Sequence, residues 1–597
     1  METKTCKIKI NGFHYQVKEG INLVEACRQV GIIIPTLCYL KDFHESGACS
    51  VCLVEVKGAK TLLRACVTKV CEGMEIYTDS LRVRRARKIV VELILANHPQ
   101  DCLACEKNQN CDLQKIAAEL SIENVRYTAI RSKELALDDT SPSIIRDPNK
   151  CILCGRCIEA CGKIQSVYAI DFIKRGLSMK VSTFSDNGLA NSECVNCGQC
   201  IVVCPTGALR EENSIPKVRE ALDNKDKLVI VQTAPAIRAA IGEGFGFAPG
   251  TLTTGKLAAS LRRLGFAKVF DTQFAADLTI IEEGSELLSR IKNKGCLPLI
   301  TSCSPGWIKF SETFFPDILK HVSTCKSPQQ MFGAVAKTYY AEKIGIDPRK
   351  IKVISIMPCT AKKFEALRPE MNGAFGFWKD KLSLSKKDNF PDVDYVLTTR
   401  ELIRMIKESG IDYAALGEEE FDDPLGVSTG AATIFGASGG VMEAALRSAY
   451  FYLTGEELKD LELTVVRGIS GVKEAVLEIA GQKIKVAVAH GLSNARRILT
   501  EVSRGQSPYH FIEIMACPGG CIGGGGQPLP VDNSIRELRM KALYQEDRNL
   551  TYRRSHHNPA VKQLYSEFLK EPNGHLAHQL LHTHYQVRPQ AKITEKV

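Results

Sequence analysis

Hydrophobic and polar positions near the start of the chain follow two short-range patterns. Residues 7–10 and 13–17 alternate in polarity around Asn11-Gly12, which predicts a β-hairpin with a tight primed turn. A short helical pattern follows and ends at Gly31, and a longer one covers residues 83–95. Small mixed domains of strands and helices are therefore expected in this part of the chain.

From about residue 213 onward, β-branched runs alternate with amphipathic helical stretches. This alternation predicts parallel sheets with crossover helices, and the predicted strands are residues 228–231, 268–270, 297–300, 352–356, 395–397 and 485–488. Beyond Pro530 the chain becomes charged, with helical patterns at 535–544 and 560–569 and a histidine-rich end. The predicted fold class is therefore multi-domain, α+β in the first part and α/β with a helical tail in the second.

Composition narrows the class of protein. A chain of 597 residues is too long for one core, and 44% hydrophobic with 24% charged residues is ordinary for a water-soluble protein. No apolar run approaches the roughly 20 residues of a membrane span, and the start does not resemble a signal peptide, so a cytoplasmic location is expected. In such a chain, 24 cysteines predict metal ligation rather than disulfides.

The formal net charge of +10 counts every cysteine as a neutral thiol. Four thiolates around an iron–sulfur cubane leave a net charge of roughly −2, so several such sites would offset the excess. Since no basic run or zinc-finger helix accompanies the charge, nucleic-acid binding is not expected.

Two cysteine groups precede residue 120. Cys38, Cys49, Cys52 and Cys66, after the hairpin and helix, resemble the ligands of a plant-type 2Fe-2S ferredoxin domain, in the version found in complex I and in hydrogenases. His98, Cys102, Cys105 and Cys111 resemble the site of one histidine and three cysteines that holds a 4Fe-4S cluster in the same families. Either group could also hold zinc, the second as readily as iron by its residues alone. Cys6, Cys27 and Cys71 fall outside these patterns and are expected to be ordinary buried thiols.

The third group is the most specific. Cys151, Cys154, Cys157 and Cys161 repeat as Cys194, Cys197, Cys200 and Cys204, with Pro205 next. In bacterial ferredoxins with this spacing, the fourth cysteine of each run serves the other cluster. One 4Fe-4S site is therefore expected to use Cys151, Cys154, Cys157 and Cys204, and the other Cys194, Cys197, Cys200 and Cys161.

Three predicted elements of the α/β block end in cysteine motifs. They are Thr301-Ser302-Cys303-Ser304-Pro305, Met357-Pro358-Cys359 with Lys362 and Glu365, and Met515-Ala516-Cys517 with Cys521 and Gly523 to Gly526. Ligands bind outside the carboxyl ends of parallel strands, so the motifs are expected to enclose one buried cofactor. The glycine run lacks a following Gly-Lys-Ser/Thr, and we expect it to allow close backbone approach to a bulky cluster instead of a phosphate. Cys296 and Cys325 lack a motif and are expected to be structural.

These motifs resemble the signatures of iron–iron hydrogenases, and the resemblance extends over essentially the whole chain. It implies an H-cluster, a 4Fe-4S cubane bridged to a di-iron unit with CO, cyanide and azadithiolate, which interconverts H2 with protons and electrons. By position, Cys359, Cys517 and Cys521 would hold the cubane, with Cys521 the bridge, and Lys362 would meet a cyanide. Pro235, Gln329, Met357 and Met515 would line the pocket.

The chain departs from the family in the first motif, where adjacent cysteines are usual and Cys303-Ser304 stands here. Positional correspondence makes Cys303 the proton donor and Ser304 an oxygen ligand. The alternative is that Cys303 ligates the cubane and a serine hydroxyl relays protons, because thiolate is the softer ligand.

The family's proton path has counterparts in Glu283, Ser323, Glu286 and Arg290, which lead to Cys303. Glu283 and Glu286 are three residues apart and would share one face of a helix. Spacing alone would favour a solvated helix face; the resemblance favours proton relay.

The resemblance also implies partners. No nucleotide or flavin motif occurs in the chain, so NAD(P) chemistry would take place on another polypeptide of a hetero-oligomer, with ferredoxin as a further electron partner. The tail resembles the family's small subunit fused to the chain, and its histidines are expected to belong to a surface packing segment. Alternatives are a hydrogen sensor or assembly factor, and a relay subunit like the large iron–sulfur subunit of complex I, which would not need Lys362 and the cysteines of the last two motifs.

Five domains are expected. They are a 2Fe-2S domain at 1–80, a 4Fe-4S domain with histidine and cysteine ligands at 81–125, a two-cluster 4Fe-4S ferredoxin domain at 126–212, an H-cluster domain at 213–530 and a small-subunit-like segment at 531–597.

Overall fold

The computed structural model describes residues 4–129, 134–479 and 481–589. Its first domain is a five-stranded sheet in the order β2-β1-β5-β3-β4, packed on helix α1. The predicted hairpin and helix are confirmed, with positive φ at Asn11 (49°) and Gly12 (93°) in the turn. The elements are β1 (Thr5–Ile10), β2 (Phe13–Lys18), α1 (Leu23–Gln29), β3 (Leu53–Val56), β4 (Leu63–Arg64) and β5 (Glu75–Tyr77).

Two small units follow. The first is a helical pair, α2 (Leu81–Ala96) and α3 (Asp112–Glu119), which flanks the second cysteine group. The second has two short antiparallel sheets and two short helices, as expected of a two-cluster ferredoxin. Its elements are β6 (Ile144–Arg146), α4 (Arg156–Glu159), β7 (Asp171–Ile173), β8 (Lys180–Ser182), α5 (Gln199–Val203) and β9 (Leu209–Glu211).

The large α/β part contains two four-stranded sheets, and its helices cover them. Their elements are α6 (Ile215–Asp223), β10 (Leu228–Thr233), α7 (Thr254–Arg263), β11 (Lys268–Asp271), α8 (Thr272–Lys292), β12 (Leu299–Ile300), α9 (Pro305–Phe314), α10 (Pro328–Val335), α11 (Ala341–Ile344), β13 (Ile351–Met357), α12 (Ala361–Ala366), α13 (Gly373–Lys381), β14 (Tyr395–Thr398), α14 (Thr399–Glu408), α15 (Gly430–Thr433), α16 (Gly440–Thr454), β15 (Val472–Ile479), β16 (Gln482–His490), α17 (Leu492–Ser503) and β17 (Phe511–Met515).

One sheet, β11-β10-β13-β14, is parallel throughout, and the other, β12-β17-β16-β15, is parallel except for β15 at its edge. All six predicted strands of this part are confirmed. The central strands are buried on both faces because helices cover them, which explains their nearly continuous hydrophobic runs. Helix α8 packs against both α10 and α16 and so joins the two halves.

The C-terminal segment forms α18 (Asn533–Asn549), α19 (Pro559–Leu564) and α20 (His575–Leu581), and it packs on the α/β part. Buried ion pairs fix it there: Arg447 with Asp547 at 3.0 Å, and Arg539 with Glu243 at 2.7 Å. Among the residues that the structure describes, no helix has both the length and the apolarity that a bilayer crossing requires.

Candidate functional site

A cavity of about 80 Å³ lies at the carboxyl ends of strands from both sheets. Met357 ends β13, Met515 ends β17, and Pro235 lies two residues after the end of β10, while Cys303 lies in the loop after β12. The fold therefore brings the three cysteine motifs to one place. The predicted site residues on its wall are Pro235, Cys303, Ser304, Gln329, Met357, Cys359, Lys362, Met515, Cys517 and Cys521.

The chemistry of this wall fits a bulky iron–sulfur group. Four thiols face a mostly apolar space, and burial raises the pKa of each, that of Cys521 to about 12. Thiols in such surroundings are costly to ionise unless a cation compensates the thiolates, and soft sulfur ligands favour iron–sulfur clusters. The residues present therefore suit a cluster that several cysteines hold.

The glycines around Cys521 also let parts of the backbone pack closely together, and their expected approach to a cluster stays a prediction. Gly520 and Gly524 line the cavity, but a Cβ at Gly524 would approach the Pro358 carbonyl to 2.2 Å, and one at Gly523 the Pro518 carbonyl to 2.1 Å. The glycine run thus lets the Cys517–Cys521 loop pack on the Cys359 loop, backbone against backbone, and so brings the cysteines of two motifs together.

Cys303 and Ser304 face different neighbours. The Ser304 hydroxyl oxygen accepts a hydrogen bond from the Ala516 amide at 3.2 Å, next to Cys517. Burial raises the pKa of Cys303, and Glu283 raises it further as the carboxylate that acts on it most strongly. Cys303 is therefore coupled to the acidic face of α8, and Ser304 lies toward the loop that carries two of the cavity cysteines.

Lys362 is held in place by a compact polar network. Its ammonium donates to the Cys303 carbonyl at 3.1 Å and to Glu365 at 2.9 Å. Glu365 also accepts hydrogen bonds from Ser327 and Gln329. The network fixes a positive charge at the cavity wall, where it can meet a negative ligand.

An acidic path leads from the cavity toward the surface along α8. Glu283 is 2% exposed, and burial, then the nearby Glu286, raises its pKa to about 8. The Ser323 hydroxyl faces Glu283 and donates to Glu286 at 2.9 Å, and Arg290 pairs with Glu286 at 2.6 Å. The helix places the two carboxylates on one face, as the spacing predicted.

The ferredoxin-like unit touches the cavity wall directly. The Cys517 thiol lies 4.0 Å from the Cys197 carbonyl, and Thr360 donates to the Asn196 carbonyl at 2.7 Å. Gly525 packs so closely there that a Cβ would come within 2.4 Å of the Cys197 carbonyl. Cysteines of the two-cluster unit and of the cavity are therefore adjacent.

The eight cysteines of that unit separate into two groups. A small cavity of about 20 Å³ is lined by Cys151, Cys154, Cys157 and Cys204, one of the two crossed sets expected from the spacing. In the other set, Cys194 and Cys161 are the charged groups that most raise the pKa of Cys200.

The two N-terminal cysteine groups lie next to the Cys151–Cys204 cavity. The Cys52 and Cys66 sulfurs are 3.4 Å apart, and the Cys38 thiol faces both Cys49 and Cys66. The Cys111 thiol lies 3.5 Å from the Pro205 carbonyl, and His98 Nδ1 is buried with no hydrogen-bond partner among the described residues. A buried imidazole nitrogen without a partner is available as a metal ligand, as the sequence predicts for His98.

Two sequence expectations are wrong. Cys71 is exposed, because it lies in the surface turn between Val70 and β5, although Cys6 and Cys27 are buried as expected. The histidines of the tail do not all belong to a surface segment: His575 and His578 are exposed, but His556 and His582 are buried in polar networks. No motif marked these two residues, so sequence spacing could not separate them from their exposed neighbours.

Comparisons with known families cover nearly all of the chain. The model of the iron only hydrogenase large subunit, C-terminal domain, matches residues 227–525, and that of the iron hydrogenase small subunit matches 533–588. Upstream, a 2Fe-2S iron-sulfur cluster binding domain matches 3–80, the NADH-ubiquinone oxidoreductase-G iron-sulfur binding region 87–126, and a 4Fe-4S dicluster domain 144–208.

Individual proteins are similar over comparable lengths. The NADP-reducing hydrogenase subunit HndD of Solidesulfovibrio fructosivorans is 49% identical over 590 residues, which cover 97% of this chain and 98% of HndD. Iron hydrogenase 1 of Clostridium pasteurianum is 40% identical over 584 residues, which cover 97% and 99%. A solved structure of apo FeFe-hydrogenase HydA1 from Chlamydomonas reinhardtii, in a variant form, shares 44% identity with a TM-score of 0.55, and covers 63% of this chain and 99% of that one.

Proposed function

The chain belongs to the iron-only hydrogenase family, and we propose from this premise how its own residues carry out the reaction. The protein is an oxidoreductase that interconverts H2 with protons and electrons, and its N-terminal iron–sulfur domains relay the electrons. The observation that carries the detailed proposal is the single cavity that gathers Cys303, Cys359, Cys517 and Cys521 beside Lys362.

Cys359, Cys517 and Cys521 would hold the cubane of the H-cluster, with Cys521 as the link to the di-iron unit. When bound, the H-cluster supplies the redox-active di-iron site at which hydrogen is formed or split. Lys362 would present its ammonium to a cyanide ligand, and the hydrogen bond to Glu365 holds the ammonium at the cavity wall. Pro235, Gln329, Met357 and Met515 line the cavity and keep bulk water out.

The two neighbours of the first motif take the roles that their surroundings favour. Cys303 donates and accepts protons at its sulfur, since Glu283 is the carboxylate most strongly coupled to it. Ser304 supplies an oxygen ligand to the cubane, since its hydroxyl lies at the Ala516 amide next to Cys517. The alternative, with Cys303 as ligand and a serine hydroxyl as relay, would leave the interaction of Glu283 with Cys303 without a part in proton transfer.

Protons move between Cys303 and the surface through Glu283, Ser323 and Glu286, with Arg290 holding Glu286. A carboxyl with a pKa of about 8 exchanges protons readily near neutral pH. Ser323 contacts both Glu283 and Glu286, and Arg290 pairs with Glu286, which supports a relay along these side chains.

One 2Fe-2S and three 4Fe-4S clusters would supply the electron relay. The ligands are Cys38, Cys49, Cys52 and Cys66 for the first, His98, Cys102, Cys105 and Cys111 for the second, and the two crossed sets of the ferredoxin-like unit for the others. The contact of Cys197 with Cys517 supports this unit as the last donor to the active site. The five domain boundaries predicted from the sequence are part of this proposal.

The electron partners are ferredoxin and a flavin- and NAD(P)-binding subunit of a hetero-oligomer. The similarity to the NADP-reducing subunit HndD over 97% of the chain supports this proposal. The cytoplasmic location stays a prediction.

The test is hydrogen evolution from reduced viologen by the matured protein, prepared without oxygen. Cys359→Ala and Cys521→Ala should abolish evolution, because each removes a thiolate from the active-site group. Cys71→Ala is the matched control, since Cys71 is exposed and lies outside every proposed site. Full activity in Cys521→Ala would contradict the assignment, and absence of activity in the unaltered protein with full iron loading would favour a sensor, assembly or relay role.

A further inference from the structure

The proton path as described so far ends at a residue that cannot release a proton. The Arg290 guanidinium donates to Glu286, to the Cys296 and Val322 carbonyls and to two neighbouring carbonyls. Arginine stays protonated in proteins at all working pH values. Arg290 therefore orients Glu286, and another group must exchange protons with water.

Glu286 has a second neighbour that can do so. The Thr324 hydroxyl lies 3.4 Å from the Glu286 carboxylate and 2.8 Å from Nδ1 of His582. On its other side, His582 Nε2 lies 3.1 Å from Glu282, a fully buried carboxylate. One unbroken chain of polar contacts thus connects Glu286 to an imidazole on the C-terminal segment.

The backbone fixes this arrangement. The Thr583 amide donates to the Thr324 carbonyl and the Lys326 amide to the Leu581 carbonyl, both at 2.7 Å. These bonds form an isolated bridge between Cys325 and His582 just beyond the end of α20. The C-terminal segment is therefore built into the wall of the proton path, and its histidine cannot shift without breaking the bridge.

We propose that His582 is the residue that exchanges protons at the outer end of the relay, through Thr324 to Glu286. The imidazolium gives its Nδ1 proton to the Thr324 oxygen while Thr324 gives its own proton to Glu286. This leaves a neutral imidazole and a carboxylic acid, so charge is balanced. The exposed His578 brings a water-accessible imidazole next to this ring, with the two ring centroids 4.3 Å apart. Hydrogen oxidation runs the same steps in reverse.

The charged and titratable groups around His582 suit this role. Glu282 on α8 contacts Nε2 of His582 directly, and Glu286 contacts Nδ1 through Thr324. The Tyr565 hydroxyl donates to Glu282 and keeps that carboxylate in place. His578 and His584 lie on the same segment, and the buried Cys325 thiol is 4.0 Å from Nδ1. Glu286, Cys325 and His582 could also together hold a metal ion, but the Arg290 guanidinium on Glu286 disfavours a cation there.

This inference rests on the proposed proton path, and the experiment separates the two. Hydrogen oxidation and evolution are measured in the matured, full-length protein with saturating electron mediator, across pH, in H2O and in D2O. His582→Gln and the isosteric Thr324→Val should each slow turnover on the order of tenfold, raise the solvent isotope effect and change the pH profile. The double variant should be no slower than the single ones, since both residues lie on one branch.

Exogenous imidazole should partly restore His582→Gln, a rescue that a merely structural role of His582 would not give. His575→Gln is the matched control, an exposed histidine of the same segment, and should leave turnover unchanged. If the pH profile and the isotope effect are unaltered in both His582→Gln and Thr324→Val while Glu283→Gln is inactive, the role of His582 is wrong and the rest of the path stands. Full activity in Glu283→Gln would overturn the whole path.

Discussion

Replacing Glu283 with glutamine should stabilise the protein at alkaline pH while it abolishes turnover. Glu283 is 2% exposed, and burial with the neighbouring Glu286 raises its pKa to about 8 from an ordinary value of 4.5. Glutamine has the same shape and never ionises. It therefore removes the cost of a buried carboxylate together with the exchangeable proton.

The magnitude follows from proton linkage. Between pH 4.5 and about 8, the folded protein keeps a proton on Glu283 that the unfolded chain releases, so the folded state loses stability as pH rises through this window. At ~1.36 kcal/mol per pKa unit, the loss amounts to about 5 kcal/mol above pH 8, as an order of magnitude. The Glu283→Gln protein does not lose this stability, because glutamine does not ionise. The difference in free energy of unfolding between the variant and the unaltered protein should therefore be near zero at the acidic end and largest at the alkaline end.

The assay can observe the relevant domain alone. Both tryptophans of the chain, Trp307 and Trp378, lie in the α/β part, so their fluorescence during urea unfolding reports on that part. Midpoints for the unaltered protein and Glu283→Gln are compared between pH 5 and pH 9, with Glu123→Gln, a surface change, as control. A difference that does not grow with pH, or a Glu283→Gln protein with full hydrogenase activity, would refute the reasoning.

Three further predictions concern the electron path and the cubane. Gly525→Ala should separate the ferredoxin-like unit from the active site, because the added Cβ would lie 2.4 Å from the Cys197 carbonyl. Viologen-driven hydrogen evolution should then fall while H2/D2O exchange persists, and equal losses of both activities would contradict this prediction. His98→Cys should lower the reduction potential of the 4Fe-4S cluster proposed at His98, since a thiolate replaces a neutral ligand. An unchanged potential, measured in a redox titration followed by electron paramagnetic resonance, would exclude His98 as a ligand. Ser304→Ala should lower the free energy of unfolding by about 1 kcal/mol, because the hydrogen bond from the Ala516 amide is lost. It should also alter the spectrum of the cubane, and an unchanged spectrum would indicate that Cys303 is the ligand instead.

Much of the fold could be predicted because local sequence patterns indicate its turns and strands. The Asn11-Gly12 turn requires positive φ, and the strands that are buried on both faces have continuous hydrophobic runs. The antiparallel edge strand β15 was not predicted. Its burial alternates, and its direction follows from the hairpin with β16 instead of from a crossover helix.

The candidate site was predictable wherever cysteine spacing identified it, and less so elsewhere. Sequence spacing alone could not show that Thr324 and His582, 258 residues apart, share a hydrogen bond. Nor could it show that Ser304 lies at the Ala516 amide, because that contact depends on how β12 and β17 pair. Long-range pairings of this kind follow from tertiary packing and leave no periodic signal in the chain.

Infrared spectroscopy of the matured protein, before and after exposure to H2, tests the central claim most directly. If the cavity between the two sheets holds the H-cluster, sharp bands from metal-bound CO and cyanide will be present and will shift under H2. Cys521→Ala should lose these bands, while Cys71→Ala keeps them. Absence of the bands in unaltered protein with full iron–sulfur loading would contradict the proposed active site.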